Sequence, residues 1–230
     1  MSHLAVIKTA SEPYRLVKEI NGKYFEIEGV KDLSDALVMH LPVFRKAYEA
    51  SGSKEIKGEL TAPVAIDTEV WGAGVTYQRS RDARKEESGI PDVYQLVYEA
   101  DRPELFFKAT ARRTVGHLAE VGIRADALTS VPEPEVAIVM NKFGELIGMS
   151  ICNDMTSRNI EGENPLYLSQ AKIYYGSNAL GPMIRPIWEI VDHDKLEIYA
   201  KIERAGSIVW QAETSLKSLN RSFDDLIEYL

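Results

Sequence analysis

The chain has 230 residues, 45% hydrophobic and 27% charged, with 27 Lys and Arg against 35 Asp and Glu for a net charge of −8. That length buries one large core or two small ones, and the acidic balance excludes a general binder of nucleic acid or of anionic membrane, since both need a basic surface. The single cysteine, Cys152, leaves no intrachain disulfide and fits a reducing cytoplasm, while no apolar run reaches the ~18 residues of a membrane span and the N-terminal stretch has no signal-peptide core.

The first sixty residues read as a small unit of their own. Residues 16–20 and 24–27 flank Asn21-Gly22, a tight primed-turn signal between two strands. Asp32-Leu33-Ser34 starts a helix whose apolar positions are Leu33, Ala36, Leu37 and Val38. Pro42 interrupts that pattern, giving a break or a second helix through Phe44, Ala47 and Tyr48 that ends at Ser51-Gly52-Ser53. The stretch 59–68, with Pro63, is an extended connection, and the boundary is placed at residue 66. The expected division is therefore a small N-terminal domain, 1–66, and a second domain, 67–230.

From Glu69 onward short β-like runs alternate with Gly, Pro and charged turns. Val70 to Tyr77 is a strand interrupted by Gly72 and Gly74, where glycine admits another backbone or a ligand. Residues 79–88 are highly charged and read as a helix or a mobile loop. Residues 105–109, 136–140 and 146–151 are strand candidates, and 196–202 alternate cleanly before turning at Ala205-Gly206 into 208–210. Leu219, Phe223, Leu226, Ile227 and Leu230 form one apolar helix face that stops at Leu230 without a cap. The expectation is a native chain that continues past Leu230, with the 230-residue form aggregation-prone or catalytically weak.

The chemistry centres on Pro132-Glu133-Pro134-Glu135 followed by an apolar strand. Residues two apart in an extended chain share a face, and two carboxylates so placed repel unless a cation or a proton lies between them. With a turn centred on Phe143-Gly144, equal counting outward sets Asp154 opposite Glu133. Three carboxylates without a histidine describe an oxygen-only site, suited to Mg²⁺, with Ca²⁺ or Mn²⁺ as substitutes, and unsuited to zinc. The competing reading is a solvated, inert acidic strand end.

Glu133-x-Glu135 before that strand, Asn153-Asp154-x-x-Ser157-Arg158, Gln170-Ala171-Lys172 and Leu180-Gly181-Pro182 resemble, in order and spacing, the fumarylacetoacetate hydrolase superfamily over roughly residues 67–230. The resemblance implies an α+β chain whose catalytic domain is a mixed β-sandwich roll behind a small N-terminal α+β domain. It implies further that Glu133, Glu135 and Asp154 hold Mg²⁺, which chelates the carboxylate and keto oxygens of a 2-oxo acid. A narrower set, Val70 to Tyr77, Val97 to Thr110 and Glu163-Asn164-Pro165-Leu166-Tyr167-Leu168, is similar to the 2-keto-3-deoxy-arabinonate dehydratase branch, which serves pentose oxidation. Where the carbon–carbon hydrolases of the superfamily carry a water-activating His and Glu, this chain has Ser80 and Ala83, so hydrolysis lacks its base.

By that resemblance the catalytic pair is Glu104 and Lys172, with Lys172 either the base for the C3 proton or a charged stabiliser beside a proton-moving Glu104. Arg81, Lys108 and Lys172 are the substrate-binding candidates. Arg79, Arg81 and Arg84 form either a clamp or a solvated segment, and Lys108 is placed to pair with a carboxylate near the site. Arg158 tethers Asp154 or Glu133, His117 is structural, and Cys152 is a small core residue. The expected partner is a small 2-oxo sugar acid, with no nucleic acid and no membrane, in a cytoplasmic homo-oligomer (dimer or tetramer). The alternatives are another enzyme of the superfamily acting on a 2-oxo acid (isomerase, decarboxylase, hydratase or C–C hydrolase), or a truncated, non-catalytic dimerising remnant.

Overall fold

Asn21 and Gly22 adopt φ of 52° and 80°, the left-handed pair that a primed hairpin turn needs. They join β2 (Arg15–Ile20) to β3 (Lys23–Glu26). The computed structural model describes residues 1–77 and 91–230. Within it, β1 (Ser2–Lys8) lies antiparallel to β2, from Ser2↔Ile20 to Ile7↔Arg15. Asp32 caps α1 (Leu33–Leu37), its side chain accepting from the Asp35 amide. Pro42 sits in the first turn of α2 (Leu41–Ala50), where its missing N–H would have had no partner. The interrupted pattern is thus two helices.

A large buried cluster joins this segment to the rest of the chain. Leu4, Val6, Leu16, Phe44 and Tyr48 pack with Ile147 and Ile184, which belong to β10 (Leu146–Ser157) and β11 (Asn178–Pro186). The β1 strand pairs with β11 at Leu4↔Ile184. Including β4 (Glu55–Ile56) and β9 (Ser130–Met140), the sheet runs β4-β3-β2-β1-β11-β10-β9, with β5 (Glu59–Leu60) on β1 and β8 (Thr114–Val115) parallel to β11. The sheet is therefore mixed, and helices flank it in an α+β arrangement.

The β9 strand begins six residues before the expected 136–140 span and so includes Pro132 and Pro134. Among the described residues it ends the sheet order, and an edge strand tolerates prolines because one side of it donates no ladder bond. Its register with β10 is set by an irregularity. The loop between the two strands is centred on Phe143, with Met140 opposite Leu146, and a shift between Leu146 and Gly148 then brings Val139 opposite Gly148 and Glu133 opposite Asp154. Counting from Phe143-Gly144 reaches the same pairing, and the bulge supplies the half-step. At Gly148 a Cβ would lie 2.4 Å from the Arg185 carbonyl oxygen and 2.6 Å from Ile184 Cγ2, so the bare glycine lets β11 close against the bulge.

Two antiparallel strand pairs complete the fold, β6 (Glu69–Gly74) with β7 (Glu104–Thr110), and the hairpin of β12 (Glu197–Arg204) with β13 (Ser207–Ser215). Helices α3 (Pro91–Glu99), α4 (Arg158–Glu163), α5 (Leu168–Lys172) and α6 (Phe223–Tyr229) lie between or after them. The apolar side of α6, with Phe223, Leu226 and Ile227, faces Val136 and Ile138 of β9 across a cavity of about 250 Å³. The α6 helix thus stands over the chain's own sheet.

Gly148→Ala is expected to lower unfolding free energy by about 1–3 kcal/mol, the usual cost of forcing a methyl into a filled core, as measured by denaturant unfolding.

Candidate active site

Glu133 and Glu135 project from one side of β9, and the bulge-set register brings Asp154 of β10 beside them. One oxygen from each carboxylate lies within 4.8 Å of the other two. They sit in a pocket of about 290 Å³ bounded by β6–β7, the ends of β9 and β10, α4–α5 and the β12–β13 hairpin.

Most of this charge is answered by the chain's own cations. Lys172, at the end of α5, donates to Glu133 Oε2 at 2.6 Å, Asp154 Oδ2 at 2.8 Å and Thr156 Oγ1 at 2.8 Å. Thr156 in turn donates to Glu133 Oε2 at 3.0 Å. Arg158 holds Glu133 Oε1 at 2.5 Å and also pairs with Glu161. Lys108 lies 2.5 Å from Asp154 Oδ1 and donates to the carbonyls of Met155 at 3.0 Å and Lys172 at 2.6 Å. Burial works against the charge of Lys172, yet the carboxylates of Glu133 and Asp154 hold its pKa above the ordinary lysine value. Burial prevails at Lys108 and lowers its pKa in spite of Asp154.

Glu135 is different. Among the described residues no hydrogen bond or ion pair reaches its carboxylate. Burial, then the charges of Asp154 and Glu133, push its pKa up to about 8. A half-buried carboxylate without a donor among the described residues, beside two others and with only oxygen ligands in reach, is the environment that a hard divalent cation satisfies. The residues present therefore fit magnesium. Nearby, burial and the Glu135 charge raise the Tyr77 phenol to about 12.

Every second residue of β7 contributes to this site. Glu104 lines the pocket, and the Phe106 ring centre lies 5.4 Å from Lys172 Nζ, within cation–π range. Lys108, next in that series, is only 2% exposed and spends its three N–H groups on Asp154 and two carbonyls. The Asp154 pair is the carboxylate contact expected of Lys108, and its side chain lies beneath the pocket and not among the residues that line it. The strand register shifts between Val70 and Trp71, opposite Lys108, as bulges do where a side chain is re-aimed.

Glu133, Glu135, Asp154, Glu104 and Lys172 thus all meet in one pocket. Arg158 tethers Glu133. Arg81, with Arg79, Ser80, Ala83 and Arg84, lies outside the described residues. His117 is exposed and lines no part of the pocket, and Cys152 is buried with its thiol donating to Asn178 Oδ1 at 3.1 Å. Sequence reading missed Thr156 and Glu161. Both left a signal: Thr156 follows Asp154 by two on the same strand, and Glu161 follows Arg158 by three on a helix.

Residues 69–230 match the family model described as "Fumarylacetoacetate (FAA) hydrolase C-terminal". Over 169 residues the chain is 47% identical to the "Probable 2-keto-3-deoxyxylonate dehydratase" of Haloferax volcanii, covering 73% of this chain and 58% of that protein. It is 40% identical over 175 residues to the "2-dehydro-3-deoxy-D-arabinonate dehydratase" of Saccharolobus solfataricus, covering 74% and again 58%. The chain thus matches somewhat under three-fifths of the length of these curated relatives. Among solved structures, a "2-keto-3-deoxy-D-arabinonate dehydratase complexed with magnesium and 2,5-dioxopentanoate" superposes with a TM-score of 0.79 at 29% identity, covering 100% of this chain and 82% of that one.

Two substitutions separate the roles of these residues. Glu135→Gln removes a charge that the described cations leave unpaired, so it is expected to keep the metal-free thermal midpoint unchanged or higher. In calorimetric titration it is expected to weaken Mg²⁺ binding by about tenfold or more, roughly 1.4 kcal/mol per decade. Lys108→Met removes one of the two cations on the buried Asp154 and the donor to the Met155 and Lys172 carbonyls, and is expected to cost about 3–5 kcal/mol of stability in denaturant unfolding.

Proposed function

The chain belongs to the fumarylacetoacetate hydrolase C-terminal family, and from that premise we propose that it removes water from a 2-keto-3-deoxy sugar acid of the pentonate type, with Mg²⁺ held by Glu133, Glu135 and Asp154. The observation that carries this reading is a trio of carboxylates, with Glu135 unpaired among the described residues, that shares one pocket with Glu104 and Lys172. When bound, the cation supplies Lewis acidity to a chelated 2-oxo acid and so acidifies its C3 proton.

The remaining steps belong to the chain's own groups. Lys172 commits its three N–H groups to Glu133, Asp154 and Thr156, so it keeps its proton and lends positive charge to the oxygen where negative charge builds. Glu104 takes the C3 proton and returns it to the C4 hydroxyl, which departs as water. Arg81 is assigned to the polar tail of the substrate, for which a guanidinium is suited. Ser80 and Ala83 supply no base for a carbon–carbon hydrolase.

We further assign residues 1–66 to a small N-terminal domain and 67–230 to the catalytic roll, in a cytoplasmic homo-oligomer. No described helix is long and apolar enough to cross a membrane.

A panel of 2-keto-3-deoxy acids with Mg²⁺, followed by the appearance of a carbonyl product, tests the reading. Turnover of a pentonate, lost with a chelator and restored by Mg²⁺, is expected, with kcat falling about 10²–10⁴-fold in Glu104→Gln. Turnover that ignores the chelator, or cleavage of an acylpyruvate instead, overturns it.

A further inference from the structure

The β6 strand carries glycine at two alternate positions, each opposite a β7 side chain that faces the site: Gly74 pairs with Glu104, and Gly72 with Phe106. Neither glycine has a positive φ, so backbone freedom is not what they supply. A Cβ at Gly74 would lie 2.1 Å from Glu104 Oε2 and 2.7 Å from its Cδ. The Glu104 carboxylate therefore occupies the space that a side chain at position 74 would take. A Cβ at Gly72 would lie 2.3 Å from Phe106 Cζ, in the ring beneath the Lys172 ammonium. Glycine inside a strand weakens it, and close approach by another group is the usual reason for it.

We propose that Gly74 is a positioning residue for the dehydration: the space left by its missing side chain seats the Glu104 carboxylate on the β6 wall of the pocket, within reach of a substrate at Glu133, Glu135 and Asp154. The proposal rests on the assignment of Glu104 as proton carrier. With alanine at position 74, the carboxylate must retreat until the contact reaches about 3.4 Å, the onset of ordinary packing. The clashing atoms end a flexible side chain, so a rotation of Glu104 relieves the overlap and the strand stays folded. Misplacement of a reacting group by about 1 Å costs roughly 10²-fold in rate.

The test compares wild type, Gly74→Ala, Glu104→Gln and the double variant Gly74→Ala/Glu104→Gln on a 2-keto-3-deoxy pentonate with Mg²⁺, together with crystal structures of wild type and Gly74→Ala. Gly74→Ala is expected to lower kcat by about 100-fold, leave KM and Mg²⁺ affinity unchanged, and show a displaced Glu104 carboxylate. In the Glu104→Gln background it is expected to cost nothing further, the non-additivity of two residues acting as one unit. Full kcat in Gly74→Ala, an equal loss in both backgrounds, or an unmoved carboxylate overturns the proposal. If Gly74→Ala does not fold, recovery in Gly74→Ala/Glu104→Ala supports the contact, and persistent misfolding overturns it. A wild type that turns over no 2-keto-3-deoxy acid defeats the functional reading alone, and the crystal comparison then decides the placement.

Discussion

Three carboxylates on adjacent strands repel one another, and the buried polar structure around them is organised by that repulsion. Unit charges roughly 5 Å apart cost about 3 kcal/mol per pair at an effective dielectric of ~20. The chain meets this cost with Lys172 between Glu133 and Asp154, Arg158 behind Glu133 and Lys108 behind Asp154. Each of those cations is costly to bury on its own, so each is held in place by further acceptors: Thr156 for Lys172, Glu161 for Arg158, two backbone carbonyls for Lys108. Two of the three carboxylates are thereby offset. Glu135 is the remainder among the described residues, and burial, followed by the charges of Asp154 and Glu133, pushes its pKa up to about 8.

That arrangement depends on a backbone detail at the other end of the β9–β10 hairpin. A one-residue slip in register sends a strand's side chains to the opposite face. Without the shift between Leu146 and Gly148, Asp154 would leave Glu133 for the far side of the sheet. Lys108 would then be a buried cation without its anion, and Lys172 would keep only Glu133. The bulge exists beside β11 because Gly148 has no side chain to meet the Arg185 carbonyl. A glycine near one end of β10 thus fixes the electrostatics near the other.

The parts of this site that sequence reveals are the parts that local rules govern. Glu133 and Glu135 share a face by strand alternation, and Asp154 is reached by counting through a hairpin. The Asn21-Gly22 turn and the Asp32 cap follow from backbone chemistry within a few residues. A carboxylate partner for Lys108 was expected from its place near the site, but alternation along β7 did not say which one. Whether such a lysine meets substrate or a buried aspartate depends on how β7 lies against β10, a contact across 46 residues of sequence between Lys108 and Asp154. The same holds for the cluster that joins Phe44 and Tyr48 to Ile147 and Ile184. No window of neighbouring residues contains that information. The sequence glycines at 72 and 74 announced a close approach without saying by what, and the answer, a carboxylate and a phenyl ring, lies thirty residues onward.

The proposed elimination from a 2-oxo acid needs a cation to acidify a carbon and a base to take its proton, and the residues assigned to these two tasks lie on different elements. The carboxylate trio belongs to β9 and β10, inside a network of buried ion pairs. Glu104 belongs to a two-stranded pair, and such a pair has little stability of its own. What ties one to the other is Lys108, which leaves β7 to bind Asp154 and the carbonyls of Met155 and Lys172. A short stretch of β7 therefore sets the distance between the proposed base and the proposed cation site: Lys108 fixes its root to the trio, Phe106 lies against the Lys172 ammonium, and Glu104 rests against Gly74 at its tip. On that reading, changes in the β6–β7 pair act on the proton's path, whereas changes in β9 and β10 act first on the cation. The two should be separable in kinetics because they are separable in structure.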